Sequence, residues 1–146
     1  MVTIVNKPAS VFVIDDEPLD NIIFKMLIKR VDDDINVNAI NDGRNAIDQL
    51  LEIGIKTPES LPDYIFLDLN MPGMNGWDFL KEFKRLGLNR FKKIQINILS
   101  SSVFSEDIVR SRSNPLVDNF FNKPINLDNL KTIFKPGDFI GGLSLL

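Results

Sequence analysis

The sequence predicts a doubly wound α/β domain built on five parallel strands. Five short apolar runs recur along the 146 residues, and the segments between them repeat their apolar residues at helical spacing. That alternation belongs to a parallel sheet covered by helices on both faces. Several of the runs also end in an acidic or hydroxyl residue, at the strand ends where ligands collect in such sheets.

The first strand is expected over residues 11–15, from Val11, Phe12, Val13 and Ile14. Helix one starts near Pro18, a residue favoured in a first turn, and Leu19, Ile22, Ile23, Met26 and Leu27 form its expected core face. Residues 35–40 alternate apolar and polar, which suits an edge strand with one wetter face. Asn41, Asp42 and Gly43 then turn the chain into a short second helix lined by Ala46, Ile47, Leu50 and Leu51. Residues 57–62, with two prolines, read as an exposed loop before strand three at 63–68. Gly76 opens a third helix that buries Trp77, Leu80 and Phe83, turns Lys81, Glu82, Lys84 and Arg85 to water, and ends near Gly87. Strand four, 93–99, is odd for an interior strand, because Gln95 and Asn97 interrupt its isoleucines. One of its faces is therefore expected to be poorly covered. Ser105, Glu106 and Asp107 start a short fourth helix with a capping residue and with acids that favour its dipole. The fifth strand is 117–121, and Leu127, Leu130, Ile133 and Phe134 stripe a last helix that Pro136 and Gly137 stop.

The expected division is an N-terminal extension over 1–9, one domain over 10–135 and an apolar C-terminal tail over 136–146. A chain of this length can bury one sizeable core, and its 44% hydrophobic content agrees. Charged residues make up 25% and the net charge is −3, so no basic footprint suggests nucleic acid and no polybasic patch suggests a membrane. The chain has no Cys and no His. Disulfides, thiolate nucleophiles and imidazole bases are thereby excluded, and zinc-type sites are disfavoured. Any phosphohistidine must belong to a partner. With no signal peptide and no apolar stretch near ~20 residues, the protein is expected to be soluble and cytoplasmic.

Asp68 closes the run Tyr64, Ile65, Phe66 and Leu67, and the loop residues Asn70, Met71, Pro72 and Gly73 follow it. Asp15 and Asp16 close the first strand in the same way. If those strands are neighbours, three carboxylates crowd one rim. Like charges ~4 Å apart repel by about 1 kcal/mol in water and by several times more in a partly buried cleft. Such a cluster needs a cation or a proton, and Mg²⁺ is the natural candidate. Ser100 follows strand four and Lys123 follows strand five. Each feature alone has an ordinary reading: a turn, a cap, a solvated bend. Their joint occurrence at strand ends points to one site. The Pro72 and Gly73 pair is an ordinary type II turn signal, and here it also shapes the loop after Asp68.

In combination these residues resemble the response-regulator receiver family of two-component signalling, over residues 10–134. The resemblance rests on Val13, Ile14, Asp15, Asp16 and Glu17; on Asn41, Asp42, Gly43 and Ala46; on Leu67 to Pro72 with Asn75 and Gly76; on Leu99 to Ser102; and on Phe120, Lys123 and Pro124. It implies a flavodoxin-like sheet in order 2-1-3-4-5, in which strand two is an edge and strand four is internal. It implies a single-domain response regulator, a signalling phosphoprotein and not an enzyme, that takes a phosphoryl group on Asp68 from a sensor histidine kinase or phosphotransfer protein. Asp16, Asp68 and the backbone carbonyl of Asn70 would ligate Mg²⁺, with Asp15 acting through a metal-bound water. Lys123 and Ser100 would each contact a phosphoryl oxygen, and small Ser101 would leave the group room. Ser100 and Phe120 would form the switch that alters the surface of helix four, strand five and helix five for an unnamed protein target. The family commonly has threonine at the Ser100 position and tyrosine or phenylalanine at the Phe120 position. The Lys123-Pro124 peptide is expected to be cis.

Two other readings compete. An aspartate-nucleophile phosphohydrolase also uses Mg²⁺ and an acid after a strand, but it wants a second acid two residues on, where this chain has Asn70. A pseudo-receiver acting as a scaffold has no reason to keep the acids, the hydroxyl and Lys123 together.

Overall fold

The structure is a computed structural model that describes residues 7–102, 105–140 and 143–144. Five strands alternate with five helices: β1 (Ser10–Ile14), α1 (Pro18–Val31), β2 (Asn36–Ile40), α2 (Gly43–Lys56), β3 (Tyr64–Asp68), α3 (Gly76–Arg85), β4 (Gln95–Ser100), α4 (Ser105–Ser113), β5 (Val117–Asn122) and α5 (Leu127–Phe134). The five strands pair in parallel in the order β2-β1-β3-β4-β5, with the alternating strand β2 at the edge. In the first turn of α4 stand Glu106 and Asp107, with Ser105 already helical. Of the apolar tail, Gly141, Gly142, Leu145 and Leu146 lie outside the described residues, as does residue 1–6 of the extension. The tail's described part forms a short antiparallel pair, β6 (Phe139–Ile140) with β7 (Leu143–Ser144), which nothing in the sequence foretold.

Alternate residues of the strands feed two cores. Phe12, Ile14, Ile65, Leu67, Ile96 and Ile98 pack under α2 and α3 against Ala46, Ile47, Leu50, Leu80 and Phe83. Val11, Val13, Phe66 and Leu99 face α1 and α5 through Phe24, Ile28 and Leu130. Each such side chain contributes about 1.5–3 kcal/mol by leaving water. Thr57 to Pro62 is not simply an exposed loop: Pro58–Ser60 makes a 3-10 turn that tucks Leu61 into the first core. Helix α2, at 14 residues, is also longer than the short helix expected.

Of the expected core face of helix one, only Leu27 packs against the core. Leu19, Ile22, Ile23 and Met26 are 43–65% exposed, while α1 buries Asn21, Phe24 and Ile28. The helix carries two apolar stripes, and a polar contact selects between them. The Asn21 side-chain amide donates to the backbone carbonyl of Asp15 at 2.8 Å, which fixes the rotation of α1 and turns Phe24 and Ile28 onto the sheet.

The expectation of a poorly covered face on strand four also fails, since Asn97 is fully buried on the α1 and α5 side. Its Oδ1 accepts from Asn119 Nδ2 at 2.8 Å. Ile96 pairs with Val117 but Asn97 pairs with Asn119, so Asp118 is the extra residue of a β-bulge. The carboxylate of Asp118 accepts the Ile96 N–H at 2.9 Å, supplying a partner for a group that the bulge would otherwise orphan. Asn97, Asp118 and Asn119 therefore serve a kink in the edge strand.

Candidate functional site

The carboxyl ends of β1, β3, β4 and β5 open into a cleft of about 460 Å³. Asp15, Asp16, Glu17 and Asp20 line it, together with Asp68, Asn70, Ser101 and Lys123. Asp15 and Asp68 are adjacent because β1 pairs with β3, with Ile14 opposite Leu67.

Asp68 is only 4% exposed, and its Oδ1 accepts the Asn70 N–H at 3.2 Å. The loop beyond it is closed by an Asn75–Asp78 capping box at the start of α3, and the Gly76 N–H returns to the Leu69 carbonyl at 3.0 Å. Only glycine fits there, because a Cβ on Gly76 would lie 2.7 Å from the Asp68 carbonyl oxygen and 2.8 Å from Leu69 Cα. Gly73, with φ of 74°, makes the turn that the Pro72 and Gly73 pair suggests.

Asp15 is buried as well, with Oδ1 accepting the Glu17 N–H at 3.0 Å. Lys123 reaches across the rim to three carboxylates: Asp15 at 2.6 Å, Asp20 at 3.0 Å and Asp68 at 3.4 Å. Strand pairing delivers it there. The Lys123 N–H donates to the Ser100 carbonyl at 2.9 Å, and the Lys123-Pro124 peptide is cis, as expected. Ser100 is fully buried, its Oγ accepting the Ser102 N–H at 3.0 Å, while the neighbouring Ser101 is exposed on the cleft. Phe120 is half-buried against the core beneath α3. The sequence reading thus named residues that the structure brings together, but it missed Asp20. An acid in a helix's first turn has an ordinary reading as a dipole partner, so nothing singled Asp20 out.

Burial pushes the Asp68 carboxyl up to about 6, and the Asp15 charge adds to this, against the opposing pull of Lys123 and the Asn70 N–H. Burial acts to lower the Lys123 ammonium, but its hydrogen bond to Asp15 and the charges of Asp68 and Asp15 prevail and raise it. The two directions are compatible because Lys123 bonds chiefly to Asp15 and stands farther from Asp68. Asp68 is left undercompensated.

Asp15, Asp16 and Asp68 each offer a carboxylate oxygen, and these atoms all lie within 4.8 Å of one another. Oxygens around one octahedral Mg²⁺, each about 2.1 Å from it, lie at most about 4.2 Å apart. The all-oxygen set therefore fits a hard divalent cation after an adjustment of a few tenths of an ångström. Among the described residues no helix is long and apolar enough to cross a membrane.

The family model for the response regulator receiver domain matches residues 11–135. The nitrate/nitrite response regulator NarL of Escherichia coli K12 is 38% identical over 104 residues, which is 70% of this chain and 43% of NarL. The chain therefore spans less than half the length of that relative. The crystal structure of a two component response regulator from Cytophaga hutchinsonii matches with a TM-score of 0.80 at 27% identity, over 90% of this chain and 97% of that one. The receiver domain of the histidine kinase CKI1 from Arabidopsis thaliana, complexed with Mg²⁺ and BeF₃⁻, has the same fold at a TM-score of 0.73 and 22% identity, over 88% of each chain.

Proposed function

We propose that this chain, which belongs to the response regulator receiver domain family of two-component signalling, takes a phosphoryl group onto Asp68 and signals through a changed surface. One observation carries the assignment: Asp68 is buried and undercompensated at the centre of a cleft where Asp15, Asp16 and Lys123 converge. A carboxylate oxygen of Asp68 attacks phosphorus, a P–O bond forms, and the P–N bond to a donor imidazole breaks. The leaving nitrogen keeps the electron pair and retains its aromatic ring. Transfer of this kind asks mainly for positioning and charge neutralisation.

Asp16, Asp68 and the Asn70 carbonyl would hold Mg²⁺, with Asp15 reaching it through water. Bound there, the ion neutralises charge on the transferring group. Lys123 places its ammonium on one phosphoryl oxygen, and Ser100 donates its hydroxyl to another after moving out of its buried position. Ser101 leaves the entrance open. The space Ser100 vacates lets Phe120 move inward, which alters α4, β5 and α5 for a protein target. Asn70, two residues beyond Asp68, has no carboxyl with which to activate water, which favours a phosphoprotein over a turnover enzyme. The donor is a histidine kinase or phosphotransfer protein. The exposed stripe of Leu19, Ile22, Ile23 and Met26 supports such a partner, because Ile23 lines the cleft itself.

Acetyl phosphate with Mg²⁺, or beryllofluoride as a stand-in for the phosphoryl group, should modify one residue. Mass spectrometry should place it on Asp68, and Asp68→Asn should abolish it. Full modification of that variant would refute the assignment.

A further inference from the structure

We propose that Asp20 is a positioning residue that holds the Lys123 ammonium toward α1 until a phosphoryl group on Asp68 draws it away. This rests on the reading of Asp68 as phosphoacceptor. An ammonium has three donors and no more, and here three carboxylates surround it. Asp20 approaches from the first turn of α1, at 3.0 Å, closer than Asp68 at 3.4 Å. Its oxygens are not among the cluster that could share one cation with Asp15, Asp16 and Asp68. Asp20 thus has a direct hold on Lys123 without a place in the metal set. Asp15 and Asp20 take two of those donors as hydrogen bonds while Asp68 is only an ion pair, so to centre on a phosphoryl oxygen borne by Asp68 the ammonium must swing away from α1 and lengthen one of the two bonds. Asp20 is the partner it can release most cheaply, because at 42% side-chain exposure Asp20 regains water, whereas Asp15 is buried at 2%. Asp20 therefore biases the unphosphorylated state and sets how readily Lys123 engages the phosphoryl group.

The test compares beryllofluoride affinity, at saturating Mg²⁺, in the intact chain and in Asp20→Asn, Asp20→Glu and Glu17→Gln. Asp20→Asn keeps the shape and removes the hold, so it should tighten binding about 2- to 5-fold, the range expected of a partly exposed ion pair. The gain should shrink in high salt, which screens an exposed charge. Asp20→Glu should return affinity toward that of the parent. Glu17 is exposed, lines the same cleft and makes no ion pair with Lys123 among the described residues. Its Gln variant removes an equal charge without touching the lysine and should gain less. An unchanged or weaker affinity in Asp20→Asn, or an equal gain in Glu17→Gln, would overturn the proposal. The ¹⁵N resonance of the Lys123 ammonium, without beryllofluoride, reads the contact directly and should shift in Asp20→Asn only. If beryllofluoride binds none of these proteins, the phosphoacceptor reading fails, and the ammonium resonance still decides whether Asp20 holds Lys123.

Discussion

Asp68→Asn should stabilise the metal-free protein, and the gain should depend on pH. Burial holds the Asp68 carboxyl up at about 6, against an ordinary value of 3.8. Below about pH 4 the group is protonated in both folded and unfolded chains and costs nothing. Between about 4 and 6 the folded protein keeps a proton that the unfolded chain has released, so stability falls as pH rises through that window. Above about 6 the cost is constant. At 1.36 kcal/mol per pH unit the gap corresponds to about 3 kcal/mol at most. Asp68 borders an open cleft, and water entering it screens the charge, so about half of that, ~1.5 kcal/mol, is the expected gain. Lys123 is not stranded by the change, because Asp15 and Asp20 still hold it. Thermal unfolding in a chelator at pH 7.5 should show a rise of about 3–6 °C for Asp68→Asn. At pH 4 the two proteins should melt together, and Mg²⁺ at pH 7.5 should narrow the difference by stabilising the parent. A variant that melts lower than the parent at pH 7.5, or a gain that persists undiminished at pH 4, would refute the reasoning.

Gly76→Ala forces a Cβ against the Asp68 carbonyl and Leu69 Cα. Both are backbone atoms that cannot swing aside, so a loss of about 1–3 kcal/mol in urea unfolding is expected, along with slower labelling of Asp68. Phe24→Ala should cost about 3–5 kcal/mol, whereas Met26→Ala, two residues along the same helix, should stay within about 0.5 kcal/mol. A reversed order of costs would mean that α1 presents its other stripe to the sheet. Lys123→Ala should leave Asp68 open to acetyl phosphate but blunt the chemical-shift response of α4, β5 and α5, and a normal response would disconnect the ammonium from the switch.

The strands and the rim were legible because both depend on local pattern. Apolar runs of five or six residues between polar turns can hardly be anything else in this order, and a carboxylate, hydroxyl or ammonium at their ends needs no tertiary information to be noticed. The rotation of α1 was not legible. Leu19, Ile22, Ile23 and Met26 have the same spacing as Phe24 and Ile28 with their neighbours, and hydropathy does not favour the stripe that is buried. What decides is the Asn21 amide on the Asp15 carbonyl, a single polar contact across the β1–α1 turn. Asp20 was hidden for a related reason: its partner lies 103 residues away.

The polar residues of β4 connect the fold to the site. Were β4 and β5 paired without interruption, the sheet would need no Asn97, Asp118 or Asn119, and an apolar residue would pack better at the buried Asn97 position. The bulge at Asp118 displaces the pairing by one residue, so that Asn97 meets Asn119 and Ser100 meets Asn122. Because side chains alternate faces, the same shift decides which face each following residue of β5 presents and where the strand ends. With this register the Lys123 N–H bonds the Ser100 carbonyl, and the ammonium lies within reach of Asp15, Asp20 and Asp68. One residue fewer in β5 would turn Phe120 and Lys123 to the wrong sides. The amide pair and the Asp118 carboxylate stabilise the irregular pairing, and the irregular pairing places the lysine. What looks in sequence like a flaw in an interior strand is thus part of how the chain assembles its charged site.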